Sequence, residues 1–245
     1  MQLSGNSVLI TGGSSGIGLA LAEAFLAAGS EVAVCARNEK RLREAAARHP
    51  ALRWRVCDVS QTSDRRALLE WASAELPGLN VLINNAGIQR DIDFSSGIDE
   101  FLAGDNELRV NLEAPIALCG LFMPLLRCPV RAAIINVSSG LGFMPIAAVP
   151  VYCASKAGLH AFTLTLRQQL ACTRISVHEV VPPAVDTHLN PEGRARRGHF
   201  TARLEPRDFV AAVMRGLRDD ASEIGYGVTE GFVRARRLTQ RAGNS

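Results

Sequence analysis

Lysine and tyrosine are almost missing from this chain. Of 245 residues, two are lysines, Lys40 and Lys156, and two are tyrosines, Tyr152 and Tyr226. Basic side chains are otherwise arginine, so a lysine kept here marks a task that the larger, permanently charged guanidinium fork does not perform. No pair among the six cysteines (Cys35, Cys57, Cys119, Cys128, Cys153, Cys172) has CxxC spacing. Dispersed, mostly apolar placement points to buried thiols in a reducing compartment, not to disulfides or a metal site. No apolar stretch approaches the ~20 residues that span a bilayer. The first strand-like run starts within a few residues of Met1, which leaves no room for a signal peptide. A net charge of +3 is too small to suggest nucleic-acid binding by itself. These absences lead us to expect a cytoplasmic protein with neither nucleic-acid nor membrane partners.

Hydrophobic residues make up 47% and charged residues 21%, ordinary values for one α/β domain spanning residues 1–245. Strand-like apolar runs at Ser7–Ile10, Glu31–Cys35, Arg53–Cys57, Val81–Asn84, Ala132–Val137 and Ile175–Val181 alternate with helical patterns. The helices are expected near Gly16–Ala28, Glu39–Arg48, Thr62–Glu75, Asp105–Leu126, Pro150–Cys172 and Pro206–Leu217. Such alternation predicts a Rossmann-type, doubly wound parallel sheet with helices on both faces. Ligands of such sheets sit outside the carboxyl ends of the strands.

The first strand runs into Thr11-Gly12-Gly13-Ser14-Ser15-Gly16-Ile17-Gly18 and then an Ala/Leu-rich helix closed by Gly29. Strand, glycine loop and helix form the setting of a dinucleotide site: glycines let a pyrophosphate approach backbone N–H groups at a helix N-terminus. The second strand ends Cys35-Ala36-Arg37. A carboxylate there would bind the ribose 2′-OH of NAD, whereas Ala36 followed by Arg37 suits a 2′-phosphate, so NADP is expected over NAD. In Val151-Tyr152-Cys153-Ala154-Ser155-Lys156 the phenol and ammonium share one helix face. A nearby cation is expected to lower the phenol's pKa, making Tyr152 a proton donor and acceptor.

Loop spacing and the Tyr-x-x-x-Lys pair together resemble the short-chain dehydrogenase/reductase family, across essentially the whole chain. Asp58-Val59, Asn84-Asn85-Ala86-Gly87, Asn111 and Ser138-Ser139 match it in order, with Ser139 thirteen residues before Tyr152. Val180–Thr187 and Glu223–Gly227 resemble its DltE-type branch. The resemblance implies hydride transfer between a nicotinamide cofactor and a small secondary alcohol or carbonyl, with Tyr152 as acid and base. It implies that Lys156 bonds the nicotinamide ribose, Ser139 the substrate oxygen, and Asn111 a proton-relaying water. It also assigns Gly12, Ser14, Ser15, Gly16, Ile17, Gly18, Asp58, Val59, Asn85, Ala86, Gly87, Pro182, Val185 and Thr187 to the cofactor, and about 188–204 to a substrate lid. Pro182-Pro183 stands where the family often has Pro-Gly. Arg194, Arg196, Arg197 and Arg203 form a solvated face or attract an anionic substrate. Relatives pair two helices about a two-fold, which implies a homodimer or homotetramer through Leu118, Leu121, Phe122, Leu125 and the small residues after Tyr152. A dinucleotide-binding regulator or scaffold without turnover is the alternative, which the intact Asn111, Ser139, Tyr152 and Lys156 set disfavours.

Overall fold

The computed structural model describes residues 1–198 and 204–242, the last seven by backbone course alone. Seven parallel strands form one sheet: β1 (Ser7–Thr11), β2 (Glu31–Ala36), β3 (Arg53–Val56), β4 (Val81–Asn84), β5 (Ala132–Val137), β6 (Ile175–Val181) and β7 (Glu223–Gly225). Their order is β3-β2-β1-β4-β5-β6-β7, so the chain reverses direction across the sheet between β1 and β4. The central strands are apolar on both faces because both faces are covered. On one side Val8, Ile10, Val34 and Ile83 pack on Leu21, Phe25, Leu42 and Phe209 from α1 (Gly16–Ala27), α2 (Glu39–Arg48) and α8 (Pro206–Arg218). On the other, Leu9, Leu82 and Ile134 pack on Leu68, Leu118, Phe122 and Leu166. Those four come from α3 (Thr62–Glu75), α5 (Ala114–Leu126) and α6 (Pro150–Gln169).

One row of buried polar residues crosses this second face. Asn84, Asn136, Glu179 and Glu223 lie side by side in register on β4 to β7. Asn84 donates to Asn136 Oδ1 at 2.8 Å, and Asn136 donates to Thr163 Oγ1 at 2.9 Å. His160 Nδ1 lies 2.8 Å from Glu179 Oε2, and Arg167 3.7 Å from Glu223.

Six strands and six helices lie where the periodicity puts them, to within a few residues at the ends. The expected Asp105–Leu126 helix is corrected: its start is a π-helical turn, Arg109–Glu113, leading into α5. Arg109–Leu126 is also long and apolar enough to cross a membrane, contrary to the expectation that no stretch comes close, yet it packs on the sheet through Val110, Leu118 and Phe122. Leu118 and Phe122 are therefore buried within the chain and are not free for a partner. Leu121 and Leu125 are half-buried, while Ala154, Ala157 and Ala161 are exposed on α6. β7, three residues long, and α4 (Asp99–Leu102), α7 (Pro191–Arg196) and α9 (Val228–Ala242) were not expected. α7 falls inside the expected lid, whose residues 199–203, Arg203 included, lie outside the described residues.

Candidate active site

The glycine loop needs its glycines for two different reasons. Gly12 and Gly16 sit at φ of +69° and +56°, a region that strains side chains with a Cβ. Gly18 instead has no room: a Cβ there would stand 2.4 Å from both Gly12 O and Asn85 Nδ2. Asn85 holds the loop in place by donating to Thr11 O at 2.9 Å, while Thr11 Oγ1 accepts the N–H groups of Asn85 and Ala86 at 3.0 Å. The first-turn N–H groups of α1 have no intrahelical partners and open into a cavity of about 730 Å³, within the usual range for small-molecule sites. Gly12, Ser14 to Gly18, Arg37, Asp58, Val59, Asn85 to Gly87, Ser139, Tyr152, Lys156, Pro182, Val185 and Thr187 all line it. Asn111 stands just behind this wall: its Oδ1 would lie 3.3 Å from a Cβ at Gly87. The first-turn N–H groups of α1 and the Arg37 and Arg41 cations beside the end of β2 fit a dinucleotide chemically. Arg37 already pairs with Asp105 at 2.5 Å, and Arg41 shares its wall.

Opposite the loop, Tyr152 and Lys156 lie on the inward face of α6, 5% and 3% exposed. Ser139 hydrogen-bonds the Tyr152 phenol. Its neighbour Ser138 turns away and donates to Val180 O at 3.3 Å. The Ser139 loop is tied to the loop after β6, because Gly140 N–H donates to Pro182 O at 2.9 Å. Asn111, fully buried in the π turn, accepts from Ile88 N–H at 2.9 Å and donates to Ile88 O at 2.8 Å and Ser155 Oγ at 3.0 Å. Ser155 donates in turn to Tyr152 O at 2.7 Å. Asn111 thus joins the β4 loop to the helix that carries Tyr152 and Lys156.

Spacing led us to expect a depressed Tyr152 pKa; in the protein alone it is raised instead. Burial pushes the phenol up to about 12, against the opposing pull of the Ser139 hydrogen bond. Lys156 lies 5.9 Å from the phenol ring and donates to Val137 O at 2.8 Å, so its ammonium is directed at a backbone carbonyl. Burial lowers Lys156 to about 8, with Glu179 pulling the other way. Sequence reasoning missed Glu179, because one acid in a strand carries no sign of its neighbours on a helix. It also missed Glu107, whose carboxyl is raised by burial and whose charge raises Tyr152 further.

A lysine whose folded pKa lies below its unfolded one binds fewer protons when folded. Stability therefore rises with pH through the window from about 8 to the unfolded value near ~10.4. Over that window the wild-type chain gains on Lys156→Met by up to ~1.4 kcal/mol per pH unit, read from urea midpoints. A difference that stays flat with pH contradicts the burial argument.

A family model described as short chain dehydrogenase matches residues 6–198. The uncharacterized oxidoreductase DltE of Bacillus subtilis (strain 168) is 46% identical over 97% of this chain and 94% of its own length. A short-chain dehydrogenase from Sphingobium yanoikuyae, solved in complex with NADPH, superposes with a TM-score of 0.82 at 27% identity, covering 98% of this chain and 96% of its own. Another from Burkholderia phymatum, in complex with NAD, superposes at 0.85 over 99% of this chain and 96% of its own; at 20% identity it shares the fold.

Proposed function

This chain belongs to the short chain dehydrogenase family, and we propose that it reduces a small carbonyl compound to a secondary alcohol with NADPH, Tyr152 giving the proton. The observation that carries this reading is the convergence of Ser139, Tyr152 and Lys156 on the cavity that the glycine loop also lines. Nicotinamide, when bound, supplies the hydride. Ser139 and Tyr152 present two hydroxyls that can donate to an oxygen as charge builds on it. The Tyr152 phenol holds its proton at neutral pH and so is available as an acid. Lys156 adds a buried cation at the Tyr152 end of the pocket, and Asn111 holds the helix that carries both Tyr152 and Lys156.

For the cofactor, Ala36 leaves no carboxylate at the end of β2, and Arg37 and Arg41 supply the charge that a 2′-phosphate needs. A panel of ketones and secondary alcohols, followed by nicotinamide absorbance with NADPH and NADH, tests the reading. Turnover of ketones with NADPH ahead of NADH supports it. Binding of either cofactor without turnover of any member refutes it and leaves the scaffold alternative.

Assembly belongs to the same proposal. Ala154, Ala157 and Ala161 on α6 and Ile116 on α5 are exposed along neighbouring helices, the kind of small, apolar face that a two-fold packing closes. Light scattering at micromolar concentration is expected to give two or four chain masses; 26.3 kDa with activity intact rejects the interface. Six free cysteines suit the reducing cytoplasm, where we place the protein.

A further inference from the structure

The cavity is unevenly charged. At its adenosine end Arg37 and Arg41 face Asp58; at the Tyr152 end Arg194, Arg197 and Lys156 line the wall with no lining carboxylate among the described residues. Lys156 is taken up by Val137 O. Arg194, on α7, donates one N–H to Val185 O at 2.8 Å, and its charge reaches Tyr152 strongly enough to oppose the rise of the phenol. Arg197 is 14% exposed, and its Nε is buried without a hydrogen-bond partner among the described residues. Asp91 binds both Arg196 and Arg197, so one carboxylate stands against two guanidiniums there and Arg194 is left outside that balance. The rest of the cavity wall includes Leu141, Met144, Ile146, Leu189 and Phe232, together with the polar Gln89, His188 and Asn190.

We propose that the carbonyl substrate is an anion, an apolar body bearing a carboxylate that Arg194 and Arg197 hold beside the Tyr152 hydroxyl. Guanidinium forks match planar carboxylates, and in a buried wall a paired charge is stabilised where an unpaired one is costly. Asp91 fixes Arg197 from behind through Nη1, while Nη2 donates to Gln89 Oε1 at 3.4 Å and keeps its second N–H for the ligand. The carboxylate thereby sets which end of the substrate faces the phenol. This assignment rests on the carbonyl-reductase reading above, but the anion site is measurable without catalysis.

Calorimetry with the NADP⁺-loaded protein, which cannot reduce a ketone, compares 4-phenyl-2-oxobutanoate with its neutral amide. The acid is expected to bind roughly 10- to 100-fold more tightly, the worth of a charge-assisted contact. Arg194→Gln and Arg197→Gln each narrow that ratio towards unity, with NADP⁺ affinity measured in the same titrations. Equal binding of acid and amide overturns the proposal, as does binding of neither. Variants that weaken NADP⁺ and keep the acid-to-amide ratio overturn it too, by giving the arginines to the cofactor. Preferential binding of the acid without hydride transfer to either probe from NADPH supports the anion site and counts against the reductase reading alone.

Discussion

Tyr152→Phe lowers kcat by a factor of ~10²–10⁴, the usual worth of a positioned acid, while NADPH affinity stays within a factor of about two. Only one oxygen is lost, and the ring keeps its volume in a site that is 5% exposed. The glycine loop, Asn85 and Thr187 are untouched, so binding and turnover separate cleanly in fluorescence titration and single-turnover assays. Ser139→Ala, which removes the hydrogen bond to that phenol, is expected to cost less, because Tyr152 keeps its proton and its place. A Tyr152→Phe enzyme with near wild-type kcat on any substrate would remove Tyr152 from the chemistry.

Arg37→Ala weakens NADP by roughly 10- to 100-fold and NAD by little, since one charge-assisted contact contributes ~1.5–3 kcal/mol. The ion pair with Asp105 adds a second expectation. Both partners are about half exposed, so the pair itself contributes little, but its carboxylate repels any phosphate that Arg37 receives. Asp105→Asn should therefore tighten NADP several-fold and leave NAD unchanged. Equal losses for both cofactors in Arg37→Ala would show that this side chain does not read the 2′-phosphate. If Asp105→Asn weakens NADP, Asp105 holds Arg37 in place instead of competing for it.

The parts of the fold carried by long periodic segments were legible in the sequence, because a strand buried on both faces and an amphipathic helix each leave a pattern in the chain itself. The glycine loop was legible for a similar reason: strand, loop and helix are contiguous. What escaped was set by neighbours distant in sequence. β7 is three residues that become a strand only because Val180 and Val181 lie beside Ile224 and Gly225. α9 begins where Thr229 donates to Val181 O at 2.7 Å, a contact no local pattern encodes. The Tyr152 pKa was read with the wrong sign, since spacing shows Lys156 nearby but not that Val137 O accepts its N–H, nor how fully the phenol is dehydrated. Leu118 and Phe122 were placed on an outer face because periodicity cannot say which of two apolar sides of α5 meets the sheet.

Strands that are apolar on both faces have one weakness: sliding one past its neighbour exchanges one aliphatic residue for another and exposes nothing, so hydrophobicity does little to forbid it. The row from Asn84 to Glu223 supplies the missing addressing. A shift of one residue would leave the Asn84 and Asn136 amides facing the opposite layer without Cys119, Thr163 or each other, a cost that a Val-for-Ile exchange never incurs. The same slip would displace whatever follows the strand by ~3.3 Å. Ser139 comes three residues after Asn136, and Asn85 directly after Asn84, so each amide acts as a ruler for a functional loop. The spacing of the rim loops is thus graduated from inside the sheet, by residues that do not line the cavity.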